Sequence, residues 1–223
     1  MRPTRLTSLA VVALSACAAP PPVVPVPPPV AVAVAVPSPP PPPAFTASAW
    51  GTFHSERFGL RLPLPEGHAW RIDDHGDPWL SATHAAEGST LLVRSWTEDG
   101  RATRSRCEER ARLWRTLPDR GQAEVMQDRS IDAPVGFDTQ LLVATVPGKA
   151  GSGAPIAAFA LAFGAHGHRC FAWAYTTSAA GAGAERVVGE RLAAMVERSL
   201  SKVVLENELV PRIERAPAGS PRP

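Results

Sequence analysis

The chain has little net charge: 23 Lys and Arg stand against 21 Asp and Glu in 223 residues, a formal +2 at pH 7. Bulk charge therefore gives no support to a nucleic-acid partner. Lysine is almost missing. It occurs only as Lys149 and Lys202, so nearly every cation is an arginine. Cysteine is scarce, with three in all and no Cys-x-x-Cys, which disfavours thiol-redox chemistry. The apolar run Leu6 to Ala16 has about eleven residues, too few for a membrane-spanning helix, which needs about twenty. No Gly-x-Ser-x-Gly elbow, His-Glu-x-x-His pair, phosphate-binding Walker loop or dinucleotide fingerprint occurs. The sequence names no catalytic residue, no metal and no cofactor.

What is present begins near the N-terminus. Arg2 and Arg5 precede the apolar run, which ends in Leu14-Ser15-Ala16-Cys17. This stretch resembles a bacterial lipobox. The resemblance implies that residues 1–16 are removed as a signal peptide and that Cys17 carries acyl chains such as palmitate. Each buried methylene would hold the protein to a bilayer by about 0.8 kcal/mol. Ala18 stands where an Asp would resemble an inner-membrane retention signal, so the expected address is the outer membrane, with the domain outside the cytoplasm. The alternative is an ordinary secretory signal with a chance cysteine.

Residues 20–43 are almost entirely Pro, Val and Ala and end in five prolines, Pro39 to Pro43. Proline fixes φ and lacks an amide hydrogen, so neither helix nor sheet is expected. Ala31 to Val36 alternates as a strand would, but the flanking prolines oppose that. Two dozen residues of polyproline II reach on the order of 70 Å, a semi-rigid spacer. Residues 17–43 are thus read as a lipidated Cys and tether, residues 44–205 as one domain, and residues 206–223, rich in Pro, Arg and Glu, as a disordered tail.

With Cys17 lipidated, Cys107 and Cys170 form an even pair in an oxidising compartment, and a disulfide between them is expected. Closing a loop of about sixty residues would contribute about 4 kcal/mol through loop-closure entropy, less any strain. The alternative is two free buried thiols.

Phe58, Leu60, Leu62 and Leu64 alternate as in a half-buried strand, and Pro63 and Pro65 point to an edge or an end. A second short strand begins at Trp70 and Ile72, followed by a turn at Asp73 to Pro78. Trp79 to Thr83 and Thr90 to Trp96 read as a pair joined around Glu87-Gly88. Ser105 and Glu108 have capping-box spacing, and Cys107, Ala111, Trp114 and Leu117 make an apolar stripe ended by Pro118 and Gly121. Strands are expected over Phe137 to Val146, Ile156 to Gly164 and Arg169 to Thr177. The last two form a hairpin turning at His166-Gly167. That register sets Phe163, Leu161 and Phe159 opposite Cys170, Ala172 and Ala174 on one face, and Ala162 and Ala160 opposite Phe171 and Trp173 on the other. Both faces are apolar and need cover. A terminal helix over Ala184 to Leu200 presents Val188, Leu192, Met195, Val196 and Ser199 on one side. The fold class is α+β, an antiparallel sheet with two main helices packed on it.

The opening Phe53-His54-Ser55-Glu56-Arg57-Phe58-Gly59-Leu60-Arg61-Leu62-Pro63-Leu64-Pro65, followed by Pro65-Glu66-Gly67-His68-Ala69-Trp70, resembles the start of PsbP/Mog1-like domains. The element order over Trp50 to Leu205 is similar too. The resemblance implies a binding or assembly module and transfers no functional residue.

Candidate sites are few. His166 and His168 flank a glycine at the hairpin tip, but two imidazoles fall short of the three or four protein ligands a zinc site needs. Asp73, Asp74, His75 and Asp77 supply three carboxylates without the spacing of a calcium loop. Arg106, Arg110, Arg112 and Arg115, with Arg101, Arg104, Arg120 and Arg129 nearby, form a possible anion-binding face for lipid headgroups or glycan phosphates. The competing reading is a solvated helix face paired with Glu108, Glu109 and Asp119.

The functional expectation is a non-catalytic envelope lipoprotein that binds a protein partner or an envelope ligand. One alternative is an envelope hydrolase or metal-dependent enzyme gathering groups such as His84, His166 and Asp77. Another is a spacer that holds envelope layers together.

Overall fold

The computed structural model describes residues 49–75, 78–146 and 154–206. Cys17, the proline tract, Asp77 and the tail from residue 207 lie outside the described residues. The described residues form ten strands and two α-helices. In chain order they are β1 (Trp50–Ser55), β2 (Leu60–Pro65), β3 (Arg71–Asp73), β4 (Leu80–His84), β5 (Ser89–Thr97), α1 (Arg104–Trp114), β6 (Glu124–Asp132), β7 (Asp138–Val146), β8 (Ile156–His166), β9 (Arg169–Ala179), α2 (Ala184–Ala194) and β10 (Val204–Leu205). A π-helical turn, Met195–Ser199, and a 3-10 turn, Leu200–Lys202, prolong α2. The fold is α+β, with antiparallel sheets and two helices.

A seven-stranded sheet runs β3-β4-β5-β9-β8-β7-β6, and a three-stranded sheet runs β1-β2-β10. The long sheet needs cover on both faces because β8 and β9 are apolar on both. Ala158, Ala160 and Ala162, with Phe171, Trp173 and Tyr175, face a core completed by Leu60, Leu62 and Leu64 of β2 and by Val188, Leu192 and Met195 of the C-terminal helix. Phe159, Leu161 and Phe163, with Ala172 and Ala174, face a second core under α1. Large meets small at each rung: Ala162 opposes Trp173, Ala160 opposes Tyr175, Phe163 opposes Ala172 and Leu161 opposes Ala174.

This register differs from the expected one by two residues. The turn residues are Gly167 and His168, with His166 opposite Arg169 and Gly167 at φ 58°. Ala165, not Phe163, opposes Cys170. A slide of two residues keeps every side chain on its face, because the strand period is two.

Three further differences have physical reasons. Helix α1 is capped by Thr103, whose hydroxyl accepts from the Arg106 amide, so Ser105 lies inside the first turn instead of at the cap. It ends at Trp114, where Arg115 turns extended, before Pro118 is reached. Strand β2 ends at Pro65, as one of the two readings of its prolines has it, and is central only where β10 pairs with Leu60 and Arg61. Pro63 and Pro65 fall beyond that pairing, where no partner strand needs their amides. Strands β1, β6 and β10 carry no clear sequence signal. Strand β6 is the outer edge of the long sheet and is exposed on nearly every residue, so no alternation marks it.

Candidate functional site

Where β5 leaves the sheet, the chain crosses the tip of the β8–β9 hairpin before α1 begins. The Glu98 amide donates to the His168 carbonyl at 2.8 Å and the Ala102 amide to the Gly167 carbonyl at 2.9 Å. On the neighbouring side, the β6–β7 turn folds back through the Gly136 amide, which donates to Asp132 Oδ1 at 2.7 Å. Gly136 sits at φ 86°, a conformation that costs glycine little. The start of α1, this turn and the hairpin tip enclose an open polar cleft of about 830 Å³. Arg101, Arg104, Glu108, Asp138, Gln140 and His166 line it.

Two of these side chains are held in fixed orientations. His166 donates from Nδ1 to the Gly136 carbonyl at 2.8 Å and lies against the Phe137 ring, centroids 5.6 Å apart. A carbonyl only accepts, so the proton sits on Nδ1 and Nε2 is left for a ligand. Arg104 donates from one terminal nitrogen to Ser130 Oγ at 2.9 Å and to Gln140 Oε1 at 2.7 Å, while its Nε lies 3.3 Å from Asp138. Gln140 in turn donates to Asp128, which Arg120 meets at 2.8 Å. Those contacts, the Gln140 bond first, hold the Asp128 carboxyl below its usual range although desolvation opposes them. Glu108 is matched by Arg112 one turn on, at 2.9 Å. Arg101 is exposed and has no partner among the described residues.

The arginines of the helix face are largely committed to the fold. Arg106 Nε lies 3.0 Å and Arg110 Nε 3.7 Å from the buried Glu98 carboxylate, which also accepts from Trp96 Nε1 at 2.8 Å. The Trp96 bond and then the two guanidiniums keep the Glu98 carboxyl below its ordinary range, although burial alone would raise it. Arg112 donates to Glu108 and to the Pro118 carbonyl and lies over the Phe163 ring. Arg115 is engaged as well. The four do not form a free basic surface.

Cys107 and Cys170 are joined by a disulfide across 63 residues, which ties α1 to β9. Asp74 is occupied by Ser55 Oγ at 2.9 Å and by the His75 ring, and Asp73 accepts from the His75 amide. Among the described residues no group of three or more His, Cys, Asp and Glu is placed to hold a metal ion. Trp50, at the entry to the domain, lies under the Arg198 guanidinium at 4.6 Å.

His84 and His166 do not meet. His84 closes β4 beside Ser89, which pairs with Thr177 Oγ1, while His166 sits at the hairpin tip. Thr177 lies eight residues along β9 from the tip, about 26 Å at strand rise. His84 is buried, its Nε2 is 3.8 Å from Glu66, and its Nδ1 has no partner among the described residues. The neighbouring knot joins buried Ser89, Tyr175 and Thr177 to the partly buried Arg191, and desolvation raises the Tyr175 hydroxyl above its usual range. Arg191 bridges that knot to the Glu87 and Ser178 carbonyls, so the knot fastens α2 to the sheet end.

Sequence reasoning missed the Glu98 clasp, because a carboxylate after a strand has no signature of its own. It also took Ser-x-x-Lys to be absent, whereas Ser199-Leu200-Ser201-Lys202 has that spacing. There the Ser199 hydroxyl is buried without a hydrogen-bond partner among the described residues, while Lys202 is exposed.

No family model matches this chain, and no curated protein matches it. Among solved structures it is similar to a crystal structure of a protein from Bacteroides thetaiotaomicron VPI-5482, with 9% identity and a TM-score of 0.39. The match covers 70% of this chain and 48% of that one, so it spans about half the length of that structure.

Proposed function

We propose that this chain is a non-catalytic bacterial envelope lipoprotein. Its α+β domain, PsbP/Mog1-like in pattern, is displayed on a polyproline tether to bind a protein partner or an envelope ligand. The reading rests on the division of the three cysteines. Cys107 and Cys170 are joined to one another, which suits an oxidising compartment, and Cys17 is left at the end of a lipobox-like stretch. The proline tract follows Cys17 directly, where a spacer between bilayer and domain belongs. Ala18 favours the outer membrane. The phe-gly-leu segment lies in the turn and opening of β2, and the Pro65-Glu66-Gly67 segment turns into β3, which suits the PsbP/Mog1-like pattern. A binding role draws support from the open cleft at the start of α1, whose polar groups are pre-set by backbone and side-chain contacts.

Labelled palmitate should enter the wild-type protein and not Cys17→Ser, and the variant should leave the membrane fraction. Equal fractionation of the two proteins would overturn the anchor. Mass spectrometry of the unreduced mature protein should recover an acylated peptide beginning at Cys17.

A further inference from the structure

We propose that the cleft between α1, the β6–β7 turn and the β8–β9 hairpin tip binds a phosphate ester that carries hydroxyl groups, a polyol phosphate. The proposal deepens the binding role above and rests on that role, but it does not depend on the lipid anchor.

Charge comes first. Around the cleft, Asp138 is balanced by Arg104 and Glu108 by Arg112. Arg101 is the cation left over, exposed on the same wall and without a partner among the described residues. Arg104 adds direction. Its Nε and one terminal nitrogen are anchored to Asp138, Ser130 and Gln140, and the second terminal nitrogen makes no hydrogen bond among the described residues. A guanidinium fixed in this way loses little freedom when it donates to an oxyanion, and charge-assisted bonds of this kind are about twice as strong as neutral ones.

His166 supplies the second half of the recognition. Its Nδ1 proton is held by the Gly136 carbonyl, so the neutral ring offers Nε2 as an acceptor. A bare oxyanion has no hydrogen to give it. A phosphate that keeps a proton, or a hydroxyl next to the phosphate on the same ligand, does. Anchored donors and one anchored acceptor in a single cleft therefore match an oxyanion flanked by hydroxyls better than a simple anion. The volume of about 830 Å³ lies within the range of small-molecule sites. The same chemistry occurs in a soluble glycerol or sugar phosphate and in a phosphatidylglycerol headgroup.

The test uses the mature, disulfide-bonded chain and follows backbone amide shifts on titration with glycerol 3-phosphate, inorganic phosphate, sulfate and phosphatidylglycerol vesicles. Saturable shifts should centre on Ala102 to Ser105, Gly136 and His166. Arg101→Gln should weaken phosphate binding about fivefold, as loss of one exposed charge contact implies. Arg71→Gln, an exposed cation on β3, should leave it unchanged. Phosphate should bind more tightly than sulfate, which has no proton to donate at neutral pH, and His166→Phe should remove that preference. Saturation by glycerol 3-phosphate places the group on a soluble ligand; saturation by vesicles alone places it on a headgroup. Either result supports the site. No saturable shift with any probe overturns it, as do equal losses in Arg101→Gln and Arg71→Gln or a sulfate affinity equal to that of phosphate. Capture of an envelope partner unaffected by Arg101→Gln, together with no saturable shift from any probe, would leave the binding role standing and remove this site.

Discussion

The two faces of the long sheet are covered in different ways. Helix α2 and its π-helical continuation bury Val188, Leu192 and Met195 against the sheet, an ordinary apolar dock. Helix α1 is dominated by charge and buries only Cys107 and Ala111 from its own length. It is held by the disulfide, by the two arginines on Glu98 and by Trp114, which packs edge-on to Trp96 at 5.0 Å and lies under Arg94 at 3.7 Å. A helix with little apolar area to bury stays on a sheet only if other bonds replace that area. The same scarcity leaves its N-terminal end polar, and the candidate cleft lies there.

The largest expected effect breaks this contrast directly. Replacing both cysteines, Cys107→Ser with Cys170→Ser, should cost about 4 kcal/mol in thermal or denaturant unfolding, in line with loop-closure entropy over 63 residues. Hydrogen exchange should show α1 losing protection while α2 keeps it. Equal loss over both helices would mean that the faces are not independently fastened. On the other face, Leu192→Ala should cost about 3 kcal/mol through cavity formation, and its local loosening should appear in α2 rather than α1.

A smaller effect sharpens the electrostatic part. Glu98→Gln should cost about 2 kcal/mol, because it weakens the bond to Trp96 and leaves Arg106 and Arg110 facing a neutral group. The folded-state Glu98 carboxyl titrates below its unfolded value, so its contribution is complete above the unfolded pKa. It is lost as pH falls through the lower folded value. Wild type should therefore lose stability in that acid window more steeply than Glu98→Gln. Parallel acid limbs in urea melts of the two proteins would show that Glu98 does not drive the loss.

Periodicity made much of the fold legible. Leu60, Leu62 and Leu64 declare their strand, and the apolar alternation along Ile156 to Gly164 and Arg169 to Thr177 declares a hairpin buried on both faces. Those faces came through intact although the register slid by two residues, because the sheet discriminates faces strongly and rungs weakly. Strand β6 was invisible for the opposite reason. An exposed edge has no buried face to impose a pattern, and a bulge between Val125 and Gln127 disturbs what pattern there is. The cleft was less legible still. Arg101, Asp138 and His166 belong to separate segments. Of the residues singled out for anion binding, Arg112 met Glu108 one turn away, as helical spacing allows, but Arg106 and Arg110 met Glu98, a partner that spacing could not reveal.

Composition and local pattern determined that this chain carries a short apolar run behind two arginines, a proline-rich stretch and an α+β fold with two cysteines to pair. Those properties follow from short-range rules of backbone freedom and side-chain period. Only the tertiary structure decided which arginines near α1 are consumed by the fold and that Arg101 stays open beside the cleft, where the start of α1, a turn and a hairpin tip converge. Charge pairing and cleft formation depend on contacts between residues far apart in sequence, and their partners are set by how the layers pack.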